Sequence, residues 1–102
     1  MKNIMLVCNA GMSTSLLVTK MQKAAEEKSE DVNIFAKSAS EIDNVLNEKN
    51  VDVILLGPQV KYLKSELESK LSDKDITIEA INMQDYGMMN GEKVLEQALS
   101  LM

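Results

Sequence analysis

Four apolar runs are spaced along the chain, with amphipathic stretches between them. The runs near 3–8, 32–37, 52–56 and 76–81 have the length of strands. Two of them, Ile4-Met5-Leu6-Val7 and Val53-Ile54-Leu55-Leu56, are apolar without a break, as strands covered on both faces are. The other two alternate. Val32, Ile34 and Ala36 stand against Asn33, Phe35 and Lys37, and less strictly Ile76, Ile78 and Ala80 stand against Thr77 and Glu79. Alternation predicts edge strands with one face less protected.

Helical spacing fills the intervals. A first helix over about 13–28 lines up Leu17, Met21 and Ala24. A second over about 40–49 buries Ile42, Val45 and Leu46, and Ser38-Ala39-Ser40-Glu41 before it reads as a capping box. A third over about 59–71 carries Val60, Leu63, Leu67 and Leu71, and a fourth over about 91–101 carries Val94, Leu95, Ala98 and Leu99. Strands alternating with helices imply right-handed crossovers and a parallel sheet. With the two uninterrupted runs central, the simplest strand order is 2-1-3-4, an α/β three-layer sandwich with helices on both faces. In such sheets ligands bind at the carboxyl ends of the strands, where the chain reverses direction between the first strand and the third. Cys8 ends the first strand, and Gly57-Pro58-Gln59 follows the third. The topology therefore gathers Cys8, the loop after it, Gly57 and Gln59 at one crevice.

Composition narrows the chemistry that crevice can perform. A chain of 102 residues with 45% apolar and 26% charged content suits one globular domain, residues 1–102. A net charge of −5 and three aromatic residues disfavour nucleic acid as a partner. Met1 leads into a strand too short for a signal segment, and no apolar run reaches the about 18 residues of a membrane span, so a cytoplasmic protein without membrane insertion is expected. Cys8 is the one cysteine, so no internal disulfide can form. The chain has no histidine, and all eleven basic residues are lysine. Histidine-activated nucleophiles and a guanidinium clamp on phosphate are thereby excluded, and no metal or cofactor is expected.

What remains is a thiol followed by Asn9, Ala10, Gly11, Met12, Ser13, Thr14 and Ser15, a small glycine- and hydroxyl-containing loop that opens a helix. Backbone N–H groups and the positive end of the helix dipole make such a place an anion site, with a phosphoryl group as the anion and Cys8 as its nucleophile. Ser13 serves equally as an N-cap. The motif of a P-loop nucleotide hydrolase and the glycine pattern of a dinucleotide fold are both missing, and a dithiol redox protein would need a second cysteine. A cysteine phosphatase is the nearest competitor. Its arginine, six positions after the cysteine, is replaced by Thr14. Such a site can hold phosphate on sulfur but lacks the group that stabilises transfer to water. An arsenate-reductase-like protein and a regulatory domain with an inert Cys8 are the other rivals.

Leu6-Val7-Cys8-Asn9-Ala10-Gly11-Met12-Ser13-Thr14-Ser15-Leu16-Leu17, Val53-Ile54-Leu55-Leu56-Gly57-Pro58-Gln59-Val60 and Tyr86-Gly87-Met88-Met89-Asn90-Gly91 together resemble the IIB component of the lactose/cellobiose family. That family, here of cellobiose/chitobiose type, belongs to the bacterial phosphoenolpyruvate-dependent sugar phosphotransferase system. Asn90 stands where the resemblance implies aspartate in many members of the family. The resemblance implies a flavodoxin-like phosphotransferase domain in sugar transport, with Cys8 as a phosphocysteine intermediate. It implies as donor the phosphohistidine of a IIA protein, and as acceptor a sugar of the cellobiose, chitobiose or β-glucoside class held by the membrane permease IIC. It implies that residues Asn9 to Ser15 cradle the phosphate, and that the protein is cytoplasmic and docks transiently on the inner face of the membrane through IIC. Gly57, Gln59 and Tyr86 are candidates for the outer part of the site. Tyr86 also reads as packing under the C-terminal loop, and Met12, Met88 and Met89 as a docking surface.

Overall fold

The computed structural model describes residues 1–8 and 12–102, the side chains of Met12 and Ser13 excepted. Strand β1 (Lys2–Cys8) leads to helix α1 (Met12–Glu27) and strand β2 (Val32–Ser38). A 3-10 turn over Ala39–Glu41 then runs into α2 (Ile42–Glu48), followed by β3 (Val53–Leu56). A second 3-10 stretch, Pro58–Leu63, runs into α3 (Lys64–Lys70), and β4 (Thr77–Ala80), α4 (Met83–Gly87) and α5 (Gly91–Ser100) complete the order. The four strands form one parallel sheet in the order β2-β1-β3-β4, as expected.

Strand alternation sorts the core into two layers. Ile4, Leu6, Ile34, Val53 and Leu55 pack with Leu17, Val18 and Met21 of α1 and with Val94, Leu95 and Ala98 of α5. Met5, Val7, Ile54, Leu56 and Ile78 face the other way, onto Ile42, Val45, Val60, Leu67 and Leu71. The uninterrupted apolar runs are the two central strands, buried from Ile4 onward in β1 and throughout β3. Edge strand β2 is half-buried outside Ile34. Its Phe35 lies on the α2 side, with the Lys49 ammonium 4.7 Å from the ring centroid.

Three departures from the sequence expectation have physical causes. The third helix starts as a 3-10 stretch, because Val60, wholly buried, leaves helical geometry at φ −125°, ψ 16°. The second helix likewise begins with a 3-10 turn, where Glu41 Oε1 accepts from the Ser38 backbone N–H at 3.1 Å. Helix α4 was not expected at all. It is five residues long, and the Asn82 side chain caps it by accepting from the Asp85 N–H.

Two helix ends close in the same unusual way. After α1 the Ser29 N–H bonds to the Glu26 carbonyl and the Glu30 N–H to the Ala25 carbonyl, with Ser29 at φ 56°. After α4 the Met89 N–H bonds to Tyr86 and the Asn90 N–H to Asp85, with Met89 at φ 53°. Both are Schellman closures that put a side chain where glycine is preferred. Helix α5 then starts at Gly91, against α1. A Cβ there would lie 2.6 Å from the Lys20 carbonyl carbon and 2.8 Å from the Met21 nitrogen. Only glycine fits. At the β4 edge, Gln97 Nε2 donates to the Ala80 carbonyl at 2.9 Å, and its Oε1 accepts from the Asn82 N–H at 3.1 Å. Its amide thus satisfies an edge that has no further strand. Among the described residues no helix is long and apolar enough to cross a membrane.

Candidate functional site

Cys8 closes β1 on the same face as Ile4 and Leu6, toward α1, because side chains alternate along a strand. It is only 3% exposed. Helix α1 opens four residues later and brings Thr14, wholly buried, into its first turn. Thr14 Oγ1 stands 3.1 Å from Cys8 Sγ, and either atom can be the donor while the thiol is protonated. Toward a thiolate only the hydroxyl has a proton to give. The first turn of any helix presents N–H groups that the helix itself does not use, and the helix dipole adds positive potential at that end.

The sheet register supplies the flanks. Cys8 pairs with Ser38 of β2, and Val7 with Leu56 of β3. One step beyond, the Gly57 N–H donates to the Val7 carbonyl at 2.8 Å, which sets buried Gly57 on the other side of Cys8. A Cβ on Gly57 would meet Gln59 Oε1 at 3.2 Å, the Val7 carbonyl oxygen at 3.3 Å and Cys8 Cβ at 3.6 Å. Glycine therefore keeps that flank open, and the exposed Gln59 turns its amide back over it. Ser38, Cys8 and Gly57 form a row across the carboxyl end of the sheet.

Of the residues expected at the site, Cys8, Thr14, Gly57 and Gln59 are brought together. Ser15 is exposed one position beyond Thr14 on α1. Asn9, Ala10 and Gly11, and the side chains of Met12 and Ser13, lie outside the described residues. Tyr86 sits in α4, half-buried against the core layer on the α1 side, as its packing role requires. The methionines divide: Met88 is 67% exposed, while Met89 is half-buried against that same layer. Asn90 caps α5, its Oδ1 accepting from the Lys93 N–H at 3.1 Å. An aspartate would cap equally well. A cavity of about 350 Å³, lined by Leu46, Lys49, Asn50, Val51, Asp52, Lys74, Asp75 and Ile76, contains none of the expected site residues.

Ser38 is the neighbour that sequence reasoning treated only as a cap. The signal was present, because extending the alternation Val32, Ile34, Ala36 by one step reaches Ser38 on the Cys8 face. Its hydroxyl donates to Glu41 Oε1 at 2.9 Å and lies 3.1 Å from Ser40 Oγ. The Ser38 backbone N–H, then its hydroxyl, with a smaller contribution from Lys37, hold the Glu41 carboxyl below the usual carboxylate range.

Comparison with known proteins follows the same lines. Residues 3–97 match the family described as PTS system, lactose/cellobiose specific IIB subunit. The chain is 54% identical over 104 residues to a PTS system galactose-specific EIIB component of Lactococcus lactis subsp. cremoris, covering 99% of this chain and 96% of that one. It is 53% identical over 104 residues, at the same coverage, to a cellobiose-specific EIIB component of Lactococcus lactis subsp. lactis. The solution structure of a cellobiose-specific phosphotransferase IIB component from Borrelia burgdorferi superposes with a TM-score of 0.77 at 45% identity, covering 98% of this chain and 90% of that chain.

Proposed function

Because the chain belongs to the lactose/cellobiose-specific IIB subunits of the sugar phosphotransferase system, we propose that Cys8 is its phosphoryl carrier. In this reading residues 1–102 act as one carrier domain, which accepts a phosphoryl group from a IIA phosphohistidine and delivers it to a sugar held by IIC. The work is done at the cytoplasmic face of the membrane, by docking on IIC. The observation that carries the reading is the buried pair Cys8 and Thr14, 3.1 Å apart at the mouth of a helix N-terminus.

Both half-reactions are substitutions at phosphorus. In the first, Cys8 Sγ forms the S–P bond as the donor's N–P bond breaks. The bonding pair returns to the imidazole, which ends with the thiol proton. In the second, a sugar hydroxyl oxygen bonds to phosphorus, the S–P pair returns to sulfur, and the hydroxyl proton is released and ends on the thiol. Thr14 and the first-turn N–H groups donate to sulfur or to the phosphoryl oxygens, stabilising charge that the buried site would otherwise leave uncompensated. Asn9 to Ser13 would complete the cradle. With Thr14 where a phosphatase has arginine, the site favours a protein or sugar acceptor over water. Met88, exposed on the turn before Gly91, and Leu16, one helical turn before the Lys20 that Gly91 abuts, offer apolar contact to a docking partner.

The relatives at 54% and 53% identity bear different sugar names, galactose and cellobiose. We therefore assign the sugar to the β-glucoside or galactoside class and its selection to IIC. The test is intact mass after incubation with phosphoenolpyruvate, the general phosphocarrier proteins and a IIA of this class. Wild type gains one phosphoryl group and Cys8→Ser gains none, with circular dichroism unchanged. Labelling of Cys8→Ser at the wild-type rate would move the acceptor to another residue.

A further inference from the structure

We propose that the Ser38 hydroxyl is a further phosphoryl ligand, forming the β2 wall of the Cys8 site and released from Glu41 when the phosphoryl group arrives. The inference rests on the phosphocysteine reading above and adds to it a residue from a different element. Ser38 is the register partner of Cys8, and adjacent strands lie about 4.8 Å apart. The two side chains share a face, since Ile4 and Leu6 pack in one core layer with Ile34, and Ala36 rests against that layer. Of the two sheet neighbours of Cys8, Gly57 offers no side chain, so Ser38 is the one that can present a donor from the sheet itself. It is half-buried, which leaves the hydroxyl within reach of a group carried on the sulfur.

The hydroxyl is engaged in the unphosphorylated protein. It donates to Glu41 Oε1 at 2.9 Å, and the same oxygen accepts from the Ser38 backbone N–H at 3.1 Å. An ionised carboxylate accepts only, as does a phosphoryl dianion, so the two compete for one hydroxyl proton. When the hydroxyl rotates to the phosphoryl group, Glu41 keeps the backbone N–H and the turn into α2 stays closed. Glu41 is a positioning residue here, acting through Ser38. The exchange trades a hydrogen bond to a carboxylate monoanion for a stronger one to a phosphoryl dianion, and the difference between them is what the partition reads. The net effect is that of a single ordinary hydrogen bond, about fivefold in an equilibrium.

The equilibrium to read is the partition of phosphate between IIA and this protein. It is measured by intact mass once phosphoenolpyruvate is exhausted, with thermal unfolding of each variant alongside. Ser38→Ala should lower the ratio of phosphorylated carrier to phosphorylated IIA by about fivefold, and Ser38→Thr, which keeps the hydroxyl, should stay within about twofold of wild type. Glu41→Gln should move the ratio the other way, because the weaker acceptor releases the hydroxyl. A role confined to capping would lower the unfolding midpoint of Ser38→Ala and Glu41→Gln without opposite shifts in partition. A Ser38→Ala ratio equal to wild type overturns the inference, as does a Glu41→Gln ratio that falls with it. If wild type itself takes no phosphate on Cys8, the carrier reading fails first, so the two failures are distinguishable.

Discussion

Thr14 shows how one side chain is placed by helix phase to meet a reactive atom. Ser13, Thr14 and Ser15 all carry hydroxyls, and the sequence offers no ranking among them. The turn of α1 buries Thr14 wholly against Cys8 and leaves Ser15 exposed. Thr14→Val keeps the shape and the methyl packing but removes the donor 3.1 Å from the sulfur. Loss of a hydrogen bond to a charged group predicts transfer slowed by about 10- to 100-fold with the fold intact. Thr14→Ser should recover most of the rate. Rapid-quench transfer from labelled IIA would decide, and an unchanged rate for Thr14→Val would remove the hydroxyl from the mechanism. The place of Cys8 at the end of the first strand was legible because a lone thiol closing an apolar run is a local pattern. Ser38 was legible only as to its face of the sheet, because its place beside Cys8 follows from register, which pairs residues thirty positions apart.

At the scale of elements, the two helices that cover the Cys8 face touch through a glycine. Gly91→Ala would drive a Cβ to 2.6 Å from the backbone and Cβ of Lys20, and rigid backbone on both sides leaves little room to yield. Overpacking of this kind costs about 1–3 kcal/mol. A urea titration should show the midpoint falling with little change in slope, and a midpoint equal to wild type would mean that the seam between α1 and α5 opens freely. The strands and long helices were readable from apolar periodicity, down to the strand order, since two unbroken runs had to be central. What escaped was α4, because five residues cannot display a period. Its existence depends on the Asn82 cap and the Gln97 amide, contributed by side chains rather than by a stripe. The split of the third helix escaped because the burial of Val60 prevailed over helical continuity.

Across the whole molecule, exposed ion pairs tie distant segments without contributing to the core. Lys28, beyond α1, meets Glu96 of α5 at 3.0 Å. The lysine hydrogen bond holds the Glu96 carboxyl below its usual value of 4.5, and the same bond raises the Lys28 ammonium above 10.5. A depressed carboxylate contributes stability above its unfolded value and loses it as pH falls through the folded one. A raised lysine contributes below 10.5 and loses its share as pH climbs past the folded value. Glu96→Gln should therefore lower the thermal midpoint slightly at pH 7, and the difference should vanish well below pH 4.5 and shrink in high salt. Equal differences at pH 7 and pH 3 would show that the bridge is not the cause. The seating of Gly91 on Lys20 has a further consequence, in the order of synthesis. Strand β1, Cys8 and α1 are made before α5, yet part of the cover for Leu17 and Met21 comes from Val94, Leu95 and Ala98. A nascent chain halted after Asn90 would carry its thiol and its whole sheet with the Cys8 face covered by α1 but not by α5, a client for chaperones rather than a finished domain. The ten residues of α5, made after the sheet, thus complete the cover of the face that carries Cys8.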